Sequence, residues 1–281
     1  MPAPTLPSED RAASAVSPSG YAIEFDNVSI AFDEKIVLDG ISFQLPHGET
    51  KAVFGVAGSG KSTMLKLAIG LLRPDSGRIF MLGEEVTRMS EQELFELRRR
   101  VGIVFQESAL FDSLKVYENV AFRLMEEGIS AEEIERRVRE VLHFVELERT
   151  YDMFPSELSG GMRRRVAIAR AIITEPEVLL YDSPTGGLDP VTSNTIVELI
   201  VKQRDVYKTS ALMVTHRLQD AFTMATHQFD KATNRMVALP KGQRGEVPMS
   251  FLILRDGKVI FDGDAQKLVT SRDDYIREYI S

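Results

Sequence analysis

The sequence lacks several features that would place it in other classes of protein. Cysteine is absent from its 281 residues, which excludes disulfides and thiolate metal sites and fits a reducing compartment. The formal net charge of −8 argues against a general nucleic-acid binder, because neutralising phosphates requires a basic surface. No apolar run approaches the roughly 20 residues that span a bilayer, and the chain does not open on a basic region followed by an apolar stretch. We therefore expect a chain that is not secreted and that reaches a membrane only through a partner.

The composition is otherwise that of a folded globular protein, with 43% hydrophobic and 27% charged residues. The length suffices for one large domain or two small ones. Residues 1–20 are rich in proline, alanine and serine and show no apolar periodicity, which predicts a disordered tail. Regular patterning begins at Tyr21 and no internal repeat is visible, so we expect one copy of one domain over residues 21–281.

The hydrophobic pattern predicts an α/β arrangement. The predicted strands cover residues 21–30, 36–45, 51–54, 78–82, 101–105, 178–182 and 210–215. A helix is predicted at 61–72, and capping-box spacing marks two more helix starts, Ser90 with Glu93 and Ser130 with Glu133. The block of about 107–173 is mostly helical in pattern, which predicts a subdomain inserted in the α/β core.

The C-terminal part contains a polar stretch and a hairpin. Residues 230–250 include two prolines and two glycines, which predicts a loop that either contacts a partner or is a tolerated surface insertion. Residues 251–254 and 258–262 flank Asp256-Gly257, a strong hairpin signal.

A phosphate-binding motif follows the third predicted strand, where residues 55–62 fit G-x-x-x-x-G-K-[ST] in full. The glycines let backbone N–H groups turn inward as an anion nest at a helix N-terminus. Lys61 would reach the β- and γ-phosphates of ATP, while the Ser62 hydroxyl would ligate Mg²⁺ together with Asp182, which ends the apolar strand 178–182. The predicted ATP-binding residues of this loop are Gly55, Gly58, Ser59, Gly60, Lys61, Ser62 and Thr63.

Residues 158–162, Leu-Ser-Gly-Gly-Met, resemble the signature motif of the ABC ATPases, usually written LSGGQ. Together with the upstream P-loop they identify the chain as a member of that family from about residue 21 to 263. The resemblance implies a P-loop NTPase (RecA-like) α/β core with an antiparallel β subdomain and an inserted α-helical subdomain. It also implies that Phe32 stacks on adenine, that Gln106 touches Mg²⁺ or the attacking water, that His216 contacts the γ-phosphate, and that residues 186–189 form the D-loop.

Some of these residues have other interpretations. Phe32 equally fits a core aromatic of a strand, and His216 fits a capping residue at a strand end, although the order of the motifs favours the nucleotide roles. The run Arg163-Arg164-Arg165 is interpreted as a solvated helix face without a separate function.

The signature motif also predicts partners. Ser159 would cap a helix beginning at Gly160, followed by Gly161, so its hydroxyl and the free N–H groups can face an anion. In the family that anion is the γ-phosphate bound to the opposite subunit, which implies a head-to-tail homodimer, or a heterodimer, around two ATP molecules. The family further implies transmembrane permease subunits as partners, and hence a cytoplasmic position on the inner face of the membrane. Met162, the arginine run and residues 110–122 resemble the Mla/Mce-type ATPases, which energise transport of phospholipids or other hydrophobic substrates.

One position departs from the family pattern. ABC ATPases place glutamate directly after the Mg²⁺-associated aspartate, whereas Ser183 follows Asp182 here. Serine cannot act as a carboxylate base, and general-base assistance is typically worth about 10²–10⁴ in rate. Phosphoryl transfer depends chiefly on positioning and charge, however, and the other groups remain. The chain is therefore either a slow or partner-assisted ATPase or an ATP-gated dimerisation clamp that hydrolyses little.

Two rival functions conflict with the sequence. An ABC ATPase of DNA repair or chromosome maintenance would carry a long heptad-bearing insertion or a basic face, and neither is present. A translation-associated ABC protein would carry two cassettes, and only one is visible.

Overall fold

The computed structural model describes residues 20–240, 243 and 245–280. The predicted disordered tail, residues 1–20, lies outside the described residues except for Gly20. The strands are β1 (Tyr21–Phe32), β2 (Lys35–Pro46), β3 (Thr50–Phe54), β4 (Ser76–Met81), β5 (Glu84–Glu85), β6 (Val101–Val104), β7 (Val178–Asp182), β8 (Ser210–Val214), β9 (His227–Asp230), β10 (Arg235–Ala238), β11 (Met249–Arg255) and β12 (Lys258–Asp264). The α-helices are α1 (Lys61–Ala68), α2 (Glu91–Arg99), α3 (Val116–Glu126), α4 (Ala131–Phe144), α5 (Gly160–Ile172), α6 (Pro190–Tyr207), α7 (Leu218–Thr226), α8 (Ala265–Val269) and α9 (Asp274–Ile280).

A six-stranded sheet in the order β12-β11-β3-β8-β7-β6 forms the centre of the molecule. All neighbours pair in parallel except β12, which lies antiparallel to β11 at one edge. The inner strands β3 and β8 are buried along their whole length, as their continuous apolar patterns predict. Because parallel strands end at the same edge of a sheet, the loops after β3, β8, β7 and β6 lie side by side.

A second sheet, in the order β2-β1-β4-β5, is antiparallel throughout and forms the predicted β subdomain. Its first two strands are joined by a two-residue turn, in which Asp33 and Glu34 have φ values of 46° and 66°. Phe25 and Phe43 pair across these strands and stack with ring centroids 4.7 Å apart. This aromatic pair belongs to the apolar face that covers the central sheet.

The region between residues 107 and 173 contains α3, α4 and α5, in agreement with the helical pattern of the sequence. Both predicted caps are present, because the Ser90 and Ser130 hydroxyls accept hydrogen bonds from the N–H groups of Glu93 and Glu133. The buried face of α4 and its C-cap consists of Ile134, Val138, Val141, Leu142 and Val145. No helix in the described part of the chain is both long and apolar enough to cross a bilayer.

The central sheet separates two hydrophobic cores. Alternate residues of β3 face opposite sides, so that Val53 packs with the β subdomain, α1 and α2, whereas Ala52 and Phe54 pack with the helical region and α6. The helical region thus shares one continuous core with the α/β part rather than forming a core of its own. This shared packing connects the helices rigidly to the strand ends that carry the site.

Two local predictions were wrong. The helix predicted at 61–72 ends at Ala68, because Gly70, with φ of 66°, closes it and the Leu71 N–H turns back to the Lys66 carbonyl. The loop predicted at 230–250 instead contains β10, which pairs with β9 in a hairpin. Carboxylates on α6 hold this hairpin, since Asp205 accepts from the Phe229 N–H and Glu198 from the Met236 N–H. The hairpin predicted at Asp256-Gly257 is confirmed, with φ values of 49° and 75° at these two residues.

Candidate nucleotide-binding site

The glycine-rich loop after β3 can be built only with glycine at two positions. Gly55 has φ of 155°, and a Cβ atom there would lie 2.6 Å from the Leu254 carbonyl oxygen. Gly60 has φ of 92°, and a Cβ atom there would lie 2.6 Å from a methyl group of Leu38. These close approaches fix the loop between the β subdomain and the sheet, and Gly60 leads directly into the N-terminus of α1. The tip of the loop, residues 56–58, is exposed.

Lys61 lies at the start of α1 and folds back over this loop. Its Nζ donates to the carbonyl oxygens of Gly55 and Val56, both at 2.8 Å, and to the Ser59 hydroxyl at 3.2 Å. Burial lowers the pKa of the Lys61 amine, while the charge of Asp182 acts in the opposite direction. All three hydrogen-bond partners are neutral, so the partly desolvated ammonium would gain free energy from an anion bound in the loop. Thr63 lies in the first turn of α1 and is partly buried.

Ser62 and Asp182, the two predicted Mg²⁺ ligands, are brought together although 120 residues separate them. The Ser62 hydroxyl donates to Oδ1 of Asp182 at 3.2 Å. Asp182 is the last residue of β7, and Ser62 is exposed in the first turn of α1. A hydroxyl and a carboxylate in contact beside a phosphate-binding loop form the oxygen donor set that Mg²⁺ prefers.

The other predicted catalytic residues lie at the same edge of the sheet. His216 is exposed two residues after β8, which lies between β3 and β7. Gln106 is exposed two residues after β6, which pairs with β7. The crevice at the carboxyl ends of parallel strands is the usual ligand site of an open α/β sheet.

Ser183 occupies a constrained position in this crevice. Its φ is 45°, its N–H donates to the Val214 carbonyl at 2.8 Å, and the residue is only 7% exposed. A Cβ atom on Gly186 would lie 3.3 Å from Cβ of Ser183 and 3.5 Å from Cδ of Gln106. Ser183 and the Gln106 amide therefore converge on either side of Gly186.

The interpretation of the arginine run as a solvated face was wrong for Arg164. This side chain is 4% exposed and donates to three backbone carbonyls, those of Phe105, Ser183 and Gly186, over 3.2–3.4 Å. Burial lowers its pKa. A guanidinium carries five N–H donors in a fixed plane, so it can donate to several loop carbonyls at once. The sequence carried no signal for this contact, because the three carbonyls come from distant segments.

A second network near the site was also missed at the sequence level. The Thr185 hydroxyl donates to Oδ2 of Asp220 at 2.5 Å, and Arg217 lies 3.3 Å from the same oxygen. Arg217 also donates to the Ser193 hydroxyl at 3.0 Å. Thr185, Asp220 and Ser193 are buried, so the segment that carries His216 is held against the loop after β7 and against α6.

The structure excludes the interpretation of Phe32 as a core aromatic and that of His216 as a capping residue. Phe32 ends β1 beside the turn and is 44% exposed, so it is not a core aromatic. The N-cap of α7 is Arg217, whose N–H donates to the Thr215 hydroxyl, so His216 is not the capping residue. Both side chains are free to contact a ligand.

The signature segment lies against the D-loop. Ser159 is the N-cap of α5, as predicted, and its hydroxyl accepts from the Met162 N–H at 3.3 Å. A Cβ atom on Gly161 would lie 2.4 Å from Cγ2 of Thr192 in α6, and one on Gly160 would lie 3.5 Å from Leu188. Within the described residues no hydrogen bond joins Ser159 to the P-loop of the same chain. The N-terminus of α5 is therefore not joined to the P-loop of its own chain by a hydrogen bond from Ser159.

Comparison with known proteins agrees with this geometry. A sequence model of the ABC transporter family matches residues 38–186, from β2 through the P-loop and signature to the start of the D-loop. The chain belongs to the ABC transporter family. It is accordingly an ABC-type ATPase, and the fold predicted from the sequence, a P-loop NTPase core with a β subdomain and a helical part, is confirmed.

Two relatives align over most of the chain. The protein Trigalactosyldiacylglycerol 3, chloroplastic, of Arabidopsis thaliana is 38% identical over an alignment of 274 residues that covers 93% of this chain and 74% of that protein. The intermembrane phospholipid transport system ATP-binding protein MlaF of Haemophilus influenzae is 32% identical over 252 residues, 89% of this chain and 87% of that protein. The predicted closeness to Mla-type ATPases is therefore confirmed.

Solved structures agree as well. The ATP-binding cassette MJ0796, in a dimeric post-hydrolysis state bound to ADP and Pi, is 29% identical, has a TM-score of 0.71 and covers 86% of this chain and 98% of its own. CbiO1 of Clostridium perfringens, part of the transporter complex cbiONQ, is 28% identical with a TM-score of 0.74 and covers 92% of this chain and 94% of its own.

Proposed function

We propose that this chain is the ATP-binding subunit of a transporter whose membrane-spanning part is a separate subunit, and that it couples ATP hydrolysis to the transport of a lipid or another hydrophobic substrate. The observation that carries the ATP part is the contact between Ser62 and Asp182 beside the Lys61 ammonium. The lipid part is supported by the relative from Haemophilus influenzae, which is named for an intermembrane phospholipid transport system. The chain would lie on the cytoplasmic side of the membrane, held there by its partner.

The proposed roles follow the positions of the side chains. Lys61 and the N–H groups of the P-loop bind the phosphates, and Phe32, exposed at the end of β1, stacks on adenine. Ser62, Asp182 and Gln106 would hold Mg²⁺, which supplies neutralisation of charge on the phosphate oxygens. Gln106 also orients the attacking water, and His216 donates to the γ-phosphate.

The complete site requires a second subunit. Ser159, Gly160 and Gly161 form the N-terminus of α5, where Gly160 lies beside Leu188 of the D-loop and Gly161 beside Thr192 of α6. We assign this terminus to the γ-phosphate bound by the opposite subunit of a head-to-tail dimer. The dimeric state of the related cassette MJ0796 supports this arrangement.

The membrane partner would dock on the surface that follows Gln106. Phe111 is 42% exposed, its ring lies 4.8 Å from that of Phe122, and the Arg170 guanidinium lies 5.7 Å from the Phe111 ring centroid. Arg170 also donates to the carbonyls of Ser108 and Ala109, which fixes the segment. An exposed aromatic pair on a well-held segment suits a helix of a partner protein. The β9–β10 hairpin is held on α6 and offers a second surface.

Ser183 supports a second candidate function. Its small hydroxyl, buried beside Gln106, cannot serve as a carboxylate base, so ATP binding and dimerisation would proceed while hydrolysis is slow. In that case the chain acts as an ATP-gated clamp, and an intact cassette in a heteromeric transporter hydrolyses ATP.

The test uses the assembled complex of this chain with its membrane partner in vesicles. Lys61→Ala removes the ammonium from the phosphates, and hydrogen bonds to charged groups are worth about 1.5–3 kcal/mol, so ATP affinity measured by calorimetry should fall at least about tenfold. ATP-dependent transfer of labelled phospholipid between vesicles should be lost as well. Lys66→Ala is the matched control, because Lys66 is an exposed lysine of the same helix.

The outcomes separate the two parts of the proposal. Unchanged ATP affinity in folded Lys61→Ala would overturn the site assignment. ATP binding that depends on Lys61, without any phospholipid transfer, would instead overturn the lipid substrate and leave the nucleotide site standing.

A further inference from the structure

Arg164 connects two loops that surround the candidate site, the loop after β6 and the loop after β7. It lies on α5, and its Nη atoms donate to the carbonyl of Phe105, which precedes Gln106, to that of Ser183, and to that of Gly186 in the D-loop. The same helix begins at Gly160, directly after Ser159. One side chain therefore joins the signature helix to the loops that carry Gln106 and Ser183.

This contact is unusual in its electrostatics. The three acceptors are neutral, and in the described part of the chain no carboxylate lies within ion-pair distance of Arg164. Glu107 and Asp182 act on the guanidinium only at longer range, and its Nε is buried without a hydrogen-bond partner. An uncompensated buried cation costs free energy, and an apolar side chain could fill the same space. The guanidinium therefore contributes hydrogen bonds to the three carbonyls that an apolar side chain of the same volume could not make.

The two neighbouring arginines on α5 have different hydrogen-bond partners from Arg164. Arg163 donates to the Leu158 carbonyl, and Arg165 donates to the carbonyls of Val145 and Glu146. Among the described residues, the hydrogen-bond acceptors of both side chains lie within the helical region. Over the same part of the chain, Arg164 is the one of the three that donates to loops at the ends of central-sheet strands.

We propose that Arg164 is a positioning residue that couples the two composite ATP sites of the dimer. It joins α5, which presents Ser159 to one nucleotide, to the loops that present Gln106 and Ser183 to the other nucleotide. The inference rests on the proposed function, because it requires the head-to-tail dimer. A shift of α5 on contact with the opposite nucleotide would pull on all three carbonyls and so move Gln106. Since Ser183 supplies no carboxylate, the placement of Gln106 carries more of the rate here than in a cassette with glutamate.

The experiment compares Arg164→Gln and Arg164→Lys with Arg165→Gln, a matched control on the same helix. ATP binding to the purified chain and ATP hydrolysis by the assembled complex are measured as functions of ATP concentration, and thermal unfolding reports on the fold. In the wild type we expect a Hill coefficient above one. In Arg164→Gln it should fall to about one, and kcat should fall about 10- to 100-fold, the loss that misplacing a catalytic group by an ångström produces.

Lysine provides the sharper variant, because it keeps the charge but cannot reach three carbonyls in one plane. Arg164→Lys should therefore lose the coupling while the midpoint for ATP binding stays within about twofold of the wild-type value, since the P-loop is untouched. Wild-type cooperativity in Arg164→Lys or in Arg164→Gln would overturn the proposal, as would an equal loss in Arg165→Gln. A wild-type chain that dimerises on ATP binding without cooperativity would also overturn the proposal, whereas a wild-type chain that binds ATP but does not dimerise would overturn the head-to-tail dimer of the proposed function.

Discussion

At the scale of single residues, Ser183 lies in the crevice with an uncommon backbone conformation. A φ of 45° is uncommon for a residue with a side chain, and the left-handed conformation costs roughly 1–2 kcal/mol. The conformation is held by the hydrogen bond from the Ser183 N–H to Val214 and by the contacts of the Ser183 carbonyl with Gly186 and Arg164. Any residue with a Cβ meets the same strain here, so exchanging serine for glutamate adds a carboxylate without adding a backbone penalty.

The substitution Ser183→Glu separates a weak enzyme from a clamp. The new carboxylate would accept a hydrogen bond from the lytic water while Asp182 and the P-loop remain in place, so steady-state ATPase activity of the assembled complex should rise at least about tenfold, the low end of general-base assistance. The lifetime of the ATP-bound dimer should become shorter, because hydrolysis removes the γ-phosphate that bridges Lys61 and the opposite Ser159. Phosphate release and dimer dissociation are the two measurements.

Two results would contradict this expectation. Brisk hydrolysis by the unaltered protein, unchanged in Ser183→Glu, would mean that another group polarises the water. Slower turnover in the variant would mean that the site is built around serine. Ser183→Ala is the matched control, since it removes the hydroxyl and adds no carboxylate.

At the scale of elements, the segment between β6 and α3 forms the surface on which we expect the membrane partner. Three residues of this segment, Ser108, Asp112 and Ser113, are positions at which a cysteine could be introduced for crosslinking, but Ser108 is only 5% exposed, so a thiol there is not accessible. Asp112 and Ser113 are exposed beside Phe111. The segment thus offers two accessible positions and one internal negative control.

Cysteines introduced at Asp112 or Ser113 should form crosslinks to the membrane partner in vesicles, because they border the exposed aromatic pair. The chain contains no cysteine, so each introduced thiol is unique. A cysteine at Ser108 should react little, and one at the exposed Ala232 on the β9–β10 hairpin tests the alternative surface. Gel mobility after mild oxidation with a cysteine-bearing partner gives the yield. Crosslinks from Ala232 with none from Asp112 and Ser113 would place the docking surface on the hairpin instead.

At the scale of the whole molecule, Ser159 makes no hydrogen bond to the P-loop of its own chain among the described residues, and we therefore expect the site to be completed by a second chain. In a head-to-tail dimer each site combines the P-loop of one chain with the signature of the other. Lys61→Ala and Ser159→Arg chains should each be inactive, since every site then contains one defective half. An equal mixture should recover up to about a quarter of the wild-type ATPase activity, because half of the dimers are mixed and each has one intact site.

The measurement is ATPase activity against mixing ratio, with each variant alone as the control. Coupling between the sites through Arg164 would lower the recovered value without abolishing it. No recovery at any ratio, from chains that each remain folded, would contradict composite sites and favour a site completed within one chain.

Much of this architecture follows from short stretches of sequence. The P-loop, the capped helices and the Asp256-Gly257 hairpin were all predicted, because each depends on the φ angles and hydrogen bonds of a few adjacent residues. The end of the helix predicted at 61–72 is also determined locally, because Gly70, with its positive φ, terminates the helix. The strands of the central sheet were also predicted, because full burial requires uninterrupted apolar residues.

Other features depended on which distant segments pack together. The β9–β10 hairpin looked like a polar loop because its support comes from Asp205 and Glu198 on α6. Arg164 looked like a solvated residue because its three carbonyl partners are 19 to 59 residues away in sequence. The same local sequence pattern is compatible with an exposed or a buried polar side chain, and the hydrogen-bond partners in the tertiary structure decide between the two.

The sequence by itself determined the family, the phosphate-binding loop and the order of the elements, because local geometry and motif spacing specify these. Only the tertiary structure showed that Phe32 is exposed, that Ser62 touches Asp182, and that Arg164 lies beneath Gln106, Ser183 and the D-loop. The contacts of Asp182 and Arg164 arise where a parallel sheet brings the ends of separate strands to one edge, whereas Phe32 ends a strand of the antiparallel sheet. The contacts made there join residues that no local pattern connects.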